Sequence, residues 1–369
     1  MRTLLVLPEP PLPEGGASGR CALALIRGLR EHGVDLRVLA ARQAWATPGD
    51  PSVEIEVVDV EPESPGFRPR VLSLTRPLEE LARSEFADRV RAEAAQVDVV
   101  HLEEISTAAL GRDLPNPVVA HLHYLVRRDR AFGAPWRREF RHVLELTRAE
   151  QRAIRGYRFL LASSPVVGDE LRYRAPPQTR VVHAPLSLEP ARYPPASLDG
   201  PPVAGLIGNA AWPSTAAAIR RLVADVWPRV RKLAPDARLR VAGRGTDSLV
   251  TGSESIEALG AVPSAGEFLR GLSLLLYPLA RGSGMKVKVL EAIASGLPVV
   301  TTTSGGEGID PEAVVVEDDG ERMASAAASV LRDELERSER GAEARRVFER
   351  LYTPGPATAP VAELYGRMA

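Results

Sequence analysis

Short apolar runs alternate with stretches of helical spacing from the first residues onward. TLLVL at 3–7 reads as a buried strand, Leu23, Ile26 and Leu29 fall on one face of a helix over Cys21–Arg30, and VDLRVLA at 34–40 reads as a second strand. Strand, helix and strand in this order form a βαβ unit, the opening of a parallel sheet. The pattern continues through VEIEVV at 53–58, a helix near 77–95, VDVVHL at 97–102, PVVAHLH at 117–123, a long arginine-rich helix near 136–156 and FLLASS at 159–164. VVHAP at 181–185 reads as the last strand of this half.

The next stretch, PLSLEPARYPPASLDGPP at 185–202, holds six prolines in eighteen residues and reads as a hinge linker, which puts the domain boundary near 186–202. After it the alternation restarts: VAGLIG at 203–208, a helix across 215–233, ARLRVAG at 237–243, SIEALG at 255–260, LSLLLYP at 272–278, a helix from about 284, LPVVTT at 297–302 and AVVVE at 313–317. From Gly320 to Leu351 the spacing is helical, TPGP at 353–356 breaks it, and a short helix follows. The expected organisation is α/β: two Rossmann-like domains, 1–190 and 200–352, and a helix over 353–369 that folds back on the first domain. No short tandem repeat is present.

A length of 369 residues suits two domains, and 44% hydrophobic with 26% charged residues suits ordered globular cores. The formal net charge of −1 removes any global drive toward nucleic acid. Cys21 is the only cysteine, so no intrachain disulfide can form, and MRTLLVLPEPPLPEGG turns into prolines where a secretory signal would stay apolar. No apolar run approaches the ~20 residues of a membrane span. A cytoplasmic protein is expected. Ten arginines against four acidic residues between Arg127 and Arg158 give the first half a basic band, read chiefly as a solvated helix face and secondarily as a peripheral contact with an anionic inner membrane face or a phosphate-bearing acceptor. Of 47 basic residues three are lysine, Lys232, Lys286 and Lys288, and two of these stand in GSGMKVKVLEA, where a compact ammonium is favoured over a guanidinium fork.

In an open parallel sheet, ligands sit beyond the carboxyl ends of strands, where glycine admits backbone to phosphate and helix starts offer unpaired N–H groups. Three segments fit. YPLARGSGMKVKVLEAIASG at 277–296 leaves a strand through Arg281, Gly282, Ser283 and Gly284 and enters a helix with Lys288 and Glu291 at i,i+3, one cation for a diphosphate and one carboxylate for a ribose. A surface ion pair is the plain alternative. GLIGNAAWPS at 205–214 carries Gly208 and Asn209 in a strand-to-helix turn, with Pro213 suited to the first helical turn. PEPPLPEGGASGR at 8–20 runs from a strand end through Gly15 and Gly16 to a helix. VAGRGTDSL lacks the third glycine of a dinucleotide fingerprint, and GSGMKVK lacks Walker A spacing, which disfavours NAD and ATPase readings. His101, His121 and His123 do not by spacing alone make a metal site, so none is expected. Asp98, Glu103 and Glu104 at a strand end form a weak candidate base pair, since such carboxylates are usually solvated.

Together these segments resemble the GT-B glycosyltransferases of the large retaining family 4 group over nearly the whole chain, most specifically at 282–308. The resemblance implies two Rossmann-like domains with a cleft between them, an N-terminal acceptor domain and a C-terminal nucleotide-sugar donor domain. It implies that Lys288 and Lys286 contact the donor diphosphate, that Glu291 holds the nucleotide ribose, that Gly15 and Gly16 lie near the donor phosphates, and that His123 lines the sugar pocket. A glutamate found in many relatives eight residues before the ribose-binding one is Ser283 here, the Asp that commonly follows the histidine is Tyr124, and the interdomain wording Pro-Asn-Gly-Val-Asp is absent from VVHAPLSLEPARY. Transfer with retention and no cofactor is implied, the donor diphosphate itself assisting deprotonation of a saccharide, lipid-linked glycan or small-molecule acceptor. A non-catalytic binding member and a nucleotide-sugar 2-epimerase are the alternatives, the latter without an evident set of carboxylates.

Overall fold

Strands covered on both faces need largely apolar runs, and the central strands of both halves are mostly Val, Leu and Ala, interrupted in the first half by His101, Glu103 and His121. The computed structural model describes residues 1–43, 49–60, 78–82, 84–130, 132–250 and 254–368. Its first sheet contains β1 (Arg2–Leu7), β2 (Asp35–Gln43), β3 (Glu56–Val60), β4 (Val99–Glu103), β5 (Val118–Leu122), β6 (Phe159–Ala162) and β7 (Arg180–His183) in the order β3-β2-β1-β4-β5-β6-β7. The second contains β8 (Val203–Ile207), β9 (Arg238–Ala242), β10 (Ile256–Gly260), β11 (Leu274–Tyr277), β12 (Val299–Thr301) and β13 (Val315–Val316) in the order β10-β9-β8-β11-β12-β13. Every strand pair is parallel. Each sheet therefore grows outward from its first strand and then reverses on that strand's other side, between β1 and β4 and between β8 and β11. The chain divides into two units, Met1–Ser187 with Pro354–Ala369, and Leu188–Thr353.

In the first unit α1 (Ala17–Glu31) starts four residues ahead of the expected helix, directly after Gly16, and buries Leu23, Ile26 and Leu29 completely. Among the helices that follow are α2 (Glu85–Ala94), α3 (Glu104–Thr107), α4 (Arg138–Gly156) and α5 (Pro165–Arg174). Ser84 caps α2 at Ala87 N, whereas positions 77 and 83 of the expected helix lie outside the described residues. β3 lies later than VEIEVV suggests, since its pairing runs from Leu39↔Glu56 to Gln43↔Val60.

In the second unit α6 (Pro213–Arg221) takes Pro213 in its first turn, where a missing N–H costs nothing, and α7 spans Trp227–Leu233. The single helix expected over 215–233 is interrupted by a π-helical turn at Leu222–Val226, just ahead of Pro228, which cannot donate to a regular α-helical ladder. The later helices are α8 (Ala265–Arg270), α9 (Val287–Ala294), α10 (Gly320–Arg332) and α11 (Glu334–Leu351). The helical stretch 320–351 is thus two helices, because Asp333 turns extended and caps α11 at Glu336 N, 3.0 Å away. The proline-rich segment is no free hinge beyond Leu188. Leu188 and Tyr193 are buried, Ala196 N donates to Ser295 O (2.8 Å), and Arg345 and Arg337 donate to the carbonyls of Tyr193 (2.7 Å) and Leu198 (3.3 Å).

After Thr353 the chain re-enters the first unit as α12 (Pro354–Gly366), which buries Val361, Leu364 and Tyr365 against Leu25, Ile26 and Leu29 of α1. Gly28 permits this crossing: a Cβ there would lie 2.3 Å from Pro354 O and 2.4 Å from Thr358 Oγ1. Gly28→Ala is expected to destabilise the protein by about 1–3 kcal/mol through overpacking, read as a lower urea midpoint at unchanged slope. An unchanged midpoint would mean that α12 does not sit this tightly on α1.

Candidate functional site

At the carboxyl edge of the second sheet, the reversal between β8 and β11 brings together residues far apart in sequence. Lys288, in the first turn of α9, is half-buried, and its Nζ lies 3.3 Å from Thr215 Oγ1 of α6, 3.4 Å from the Tyr277 hydroxyl that ends β11, and 4.6 Å from the Tyr277 ring centre. Gly208, just after β8, leaves the room: a Cβ would stand 2.7 Å from Thr215 Cγ2 and 3.1 Å from Lys288 Nζ. Loss of hydrating water pushes the Lys288 pKa down to about 8, with the Glu291 charge opposing. Glu291, one turn along α9, is buried and accepts the Tyr193 hydroxyl at 3.0 Å.

The loop before α9 is shaped by its own polar groups. Gly284 has φ +70° and donates its N–H to Glu307 Oε1 at 2.7 Å. Lys286 Nζ folds back on the carbonyls of Ser283 (2.6 Å) and Gly284 (2.7 Å). Gly282 and Ser283 are buried and Arg281 is exposed. Asn209 Oδ1 accepts Ala211 N at 2.9 Å, closing the turn between β8 and α6.

The corresponding edge of the first sheet gathers carboxylates and imidazoles. Register pairs Glu103 with His121, and the two-residue period puts His101 with Glu103, and His121 with His123, on matching faces of β4 and β5. Glu103 Oε1 lies 2.8 Å from His121 Nδ1 and 3.0 Å from His101 Nε2, while Oε2 lies 2.7 Å from His123 Nε2. Burial pushes the Glu103 carboxyl up, but the charges of His121 and His123 and the surrounding hydrogen bonds outweigh it and hold it well below the usual carboxylate range. Glu104, which follows, holds a left-handed φ of +63° and meets Ser18 and, at 3.8 Å, His123 Nδ1. Such a backbone in a non-glycine residue stores strain at the mouth of the site.

Gly15 and Gly16 stand at the start of α1, where Gly15 N donates to Leu12 O at 3.1 Å. The helix start is occupied by the chain's own carboxylate: Glu9 Oε1 accepts Gly19 N at 2.9 Å, and a Cβ on Gly16 would lie 3.1 Å from that oxygen. Burial, then the nearby Glu104 charge, push Glu9 up to about 7, against the Gly19 N–H and the Arg20 charge.

A family model for the glycosyl transferases group 1 matches residues 201–333, and one for the glycosyl transferase 4-like domain matches residues 16–186. The chain belongs to these glycosyltransferases. Solved structures agree in fold. Sucrose-phosphate synthase from Thermosynechococcus elongatus superposes with a TM-score of 0.74 at 16% identity, over 100% of this chain and 99% of that one. Anabaena HepE in complex with UDP-glucose gives 0.65 at 14% over 100% of both chains. A variant of S. aureus TarM in complex with Fondaparinux, alpha-GlcNAc-glycerol and UDP gives 0.70 at 8%, over 99% of this chain and 100% of that one. No curated protein matches the chain. The glycosyltransferase is thus a transferase enzyme of GT-B architecture, and among its described residues no helix is long and apolar enough to cross a membrane.

In this glycosyltransferase the structure joins Lys288, Glu291 and Gly208 at one sheet edge, with Asn209 in the turn beside them, and His123 with Glu103 and Glu104 at the other. Lys286 faces inward on its own loop, so its ammonium stiffens the backbone around Ser283. Asp98 stands apart from Glu103 and Glu104: it precedes β4 at the opposite end and accepts Arg2 N at 2.7 Å. Glu103 is buried, contrary to the expectation of a solvated carboxylate, because it ends a strand covered along its whole length. Thr215, Tyr277, Tyr193, Glu307 and Glu9 went unnoticed in the sequence. Glu9 had a weak local signal there, one of two acidic residues, with Glu14, in a proline-rich strand end before a glycine-started helix.

The raised Glu9 carboxyl predicts a pH signature. Its protonated form is favoured by folding, so its contribution is full below about 4.5 and is lost as pH rises through about 7. Glu9→Gln, which keeps an acceptor for Gly19 N, is expected to gain stability over the parent at pH near 8 and little at pH near 4, a difference on the order of 3 kcal/mol. Thermal melts of both proteins across this range check it.

Proposed function

We propose that this glycosyltransferase draws on a nucleoside-diphosphate sugar held chiefly by the second unit, and transfers the sugar with retention of anomeric configuration and no metal or other cofactor in the transfer step. The acceptor, taken by the first unit, is a saccharide, a lipid-linked glycan or a small molecule, and the enzyme works in the cytoplasm. The observation that carries the reading is the half-buried Lys288 ammonium at the reversal point of the second sheet, one helical turn from the buried Glu291.

A departing nucleoside diphosphate gains negative charge as the glycosidic bond breaks, and an ammonium already stripped of part of its water stabilises that charge more than it stabilises the ground state. Glu291 accepts the ribose hydroxyls, and the backbone of 282–284 with Gly208 and Asn209 approaches the phosphates closely. Arg281, exposed at the loop entrance, adds a further cation for the donor. His123 is the first unit's candidate for the sugar, with Gly15 and Gly16 near its phosphates. The acceptor proton passes to a donor phosphate oxygen, so no protein base is needed. The UDP-glucose and UDP bound to HepE and TarM support the donor class. A non-catalytic binding protein is the second reading, favoured by Ser283 in place of the common glutamate. Against it, Glu307 supplies a carboxylate to the same loop at Gly284.

Thermal stability against UDP, GDP, ADP, CMP and dTDP tests the proposal. One nucleotide at 100 times its dissociation constant is expected to add ~2.7 kcal/mol. Lys288→Ala is expected to weaken binding or turnover by ~1.5–3 kcal/mol with folding intact, and Glu291→Ala is expected to abolish the discrimination for ribose. Because the ammonium is the form that binds, affinity should hold below the Lys288 pKa of about 8 and fall roughly tenfold per pH unit above it, in a titration by calorimetry. No response to any nucleotide would favour the binding protein.

Peripheral membrane contact belongs to the same proposal. Trp136 is 83% exposed beside the exposed Arg137, in the stretch that also exposes Arg127 and Arg128. Cosedimentation with vesicles containing anionic lipid should exceed that with neutral vesicles and fall for Trp136→Ala. Equal, low binding to both would remove the contact.

A further inference from the structure

A carbonyl oxygen only accepts hydrogen bonds, and this constrains the imidazoles under the first site. His121 Nε2 lies 3.2 Å from Ala184 O and must carry the hydrogen, so Nδ1 turns either a second proton or its lone pair toward Glu103 Oε1, 2.8 Å away. His101 repeats the motif. Its Nδ1 is hydrogen-bonded to the Tyr365 hydroxyl of α12, while its buried Nε2 stands 3.0 Å from the same Glu103 Oε1 without a hydrogen-bond partner. For protons alone to hold the cluster, His121 would carry N–H on both ring nitrogens and His101 would donate from Nε2 to the same oxygen, yet His101 Nε2 makes no hydrogen bond there.

One cation between the three groups would engage the unpartnered His101 Nε2 as well. We propose that His101, Glu103 and His121 form a buried site for a single divalent metal ion of the zinc class, with a structural role beneath the catalytic edge and no part in the transfer step. The three ligand atoms all lie within 4.8 Å of one another, and the side chains are buried. Each imidazole has the outer hydrogen bond that orients a metal-bound histidine, His121 to Ala184 O and His101 to Tyr365, and the second carboxylate oxygen is held by His123 Nε2 at 2.7 Å. Two nitrogens and one carboxylate oxygen suit Zn²⁺, whose ligands at about 2.1 Å stand roughly 3.4 Å apart, so small side-chain rotations bring the present grouping to three of the four tetrahedral positions, the fourth falling to water. The spacing His121, His123 does not reveal this set because its members come from different strands, and His123 is not among the ligands. The ion would tie β4 and β5 to α12 through Tyr365.

The experiment is metal analysis of the full chain purified without chelator, followed by chelator treatment and titration with Zn²⁺ and, as a spectroscopic probe, Co²⁺. The expected result is about one zinc per chain, visible Co²⁺ absorption of low-coordinate N and O ligation, and a rise in melting temperature on reloading. His101→Gln and His121→Gln, checked for folding by circular dichroism, should each lose the metal, whereas His123→Gln should keep it. Absence of stoichiometric zinc together with no Co²⁺ signal in the wild-type chain overturns the proposal, as does metal binding that persists unchanged in both ligand variants. Nucleotide response is measured separately in the second unit, so failure here leaves the donor reading standing, and failure of the donor reading leaves this site standing.

Discussion

Parallel strands can be joined only by crossovers that return over a face of the sheet, and these crossovers keep one hand. A sheet that grows outward from its first strand and then reverses on the other side must leave two loops diverging at the carboxyl ends of the strands flanking that point. Both units obey this, at β1 and β4 and at β8 and β11. The interior of each sheet is closed by Leu, Val and Ala, so these edges are the places where backbone N–H groups and polar side chains are left for a ligand. The placement of Lys288, Glu291, His123 and Glu104 follows from that geometry.

Burying charge near such an edge is costly, and the chain meets the cost by convergence from separate elements. Lys288 has Thr215 from α6 and Tyr277 from β11. Glu291 has Tyr193, which is held on the second unit because the segment after Leu188 is hydrogen-bonded down to it. Glu103 has His101 from its own strand, His121 from β5 and His123 just beyond it, and His101 in turn is tied to α12. These networks also explain why the terminal helix matters to the first unit: Tyr365 fills the core beside α1 and reaches the polar cluster with its hydroxyl. The two edges differ in sign. The second presents an ammonium in partly dry surroundings, whereas the first presents carboxylates and imidazoles, with Glu9 already seated at the start of α1.

The alternation of apolar runs and helical faces determined the two α/β halves, the parallel sheets and the glycine loop leading to Lys288 and Glu291, because burial on both faces of a strand and an i,i+3 face on a helix are written locally. Gly208 and Pro213 were legible for the same reason, as backbone demands of a tight strand-to-helix turn. The π-helical turn before Pro228, the break at Asp333 and the docked proline-rich segment were not, since each depends on what the chain packs against. Tertiary structure alone decided that Lys286 turns onto its own loop, that Glu307 reaches Gly284, that Asp98 stands apart from Glu103, and that His101, Glu103 and His121 converge. The Glu307 contact and the His101, Glu103 and His121 cluster join residues some twenty positions apart through strand register and helix placement, and side-chain partners at such distances leave no period in the sequence, whereas the course of the loop around Lys286 and the length of β4 decide the other two.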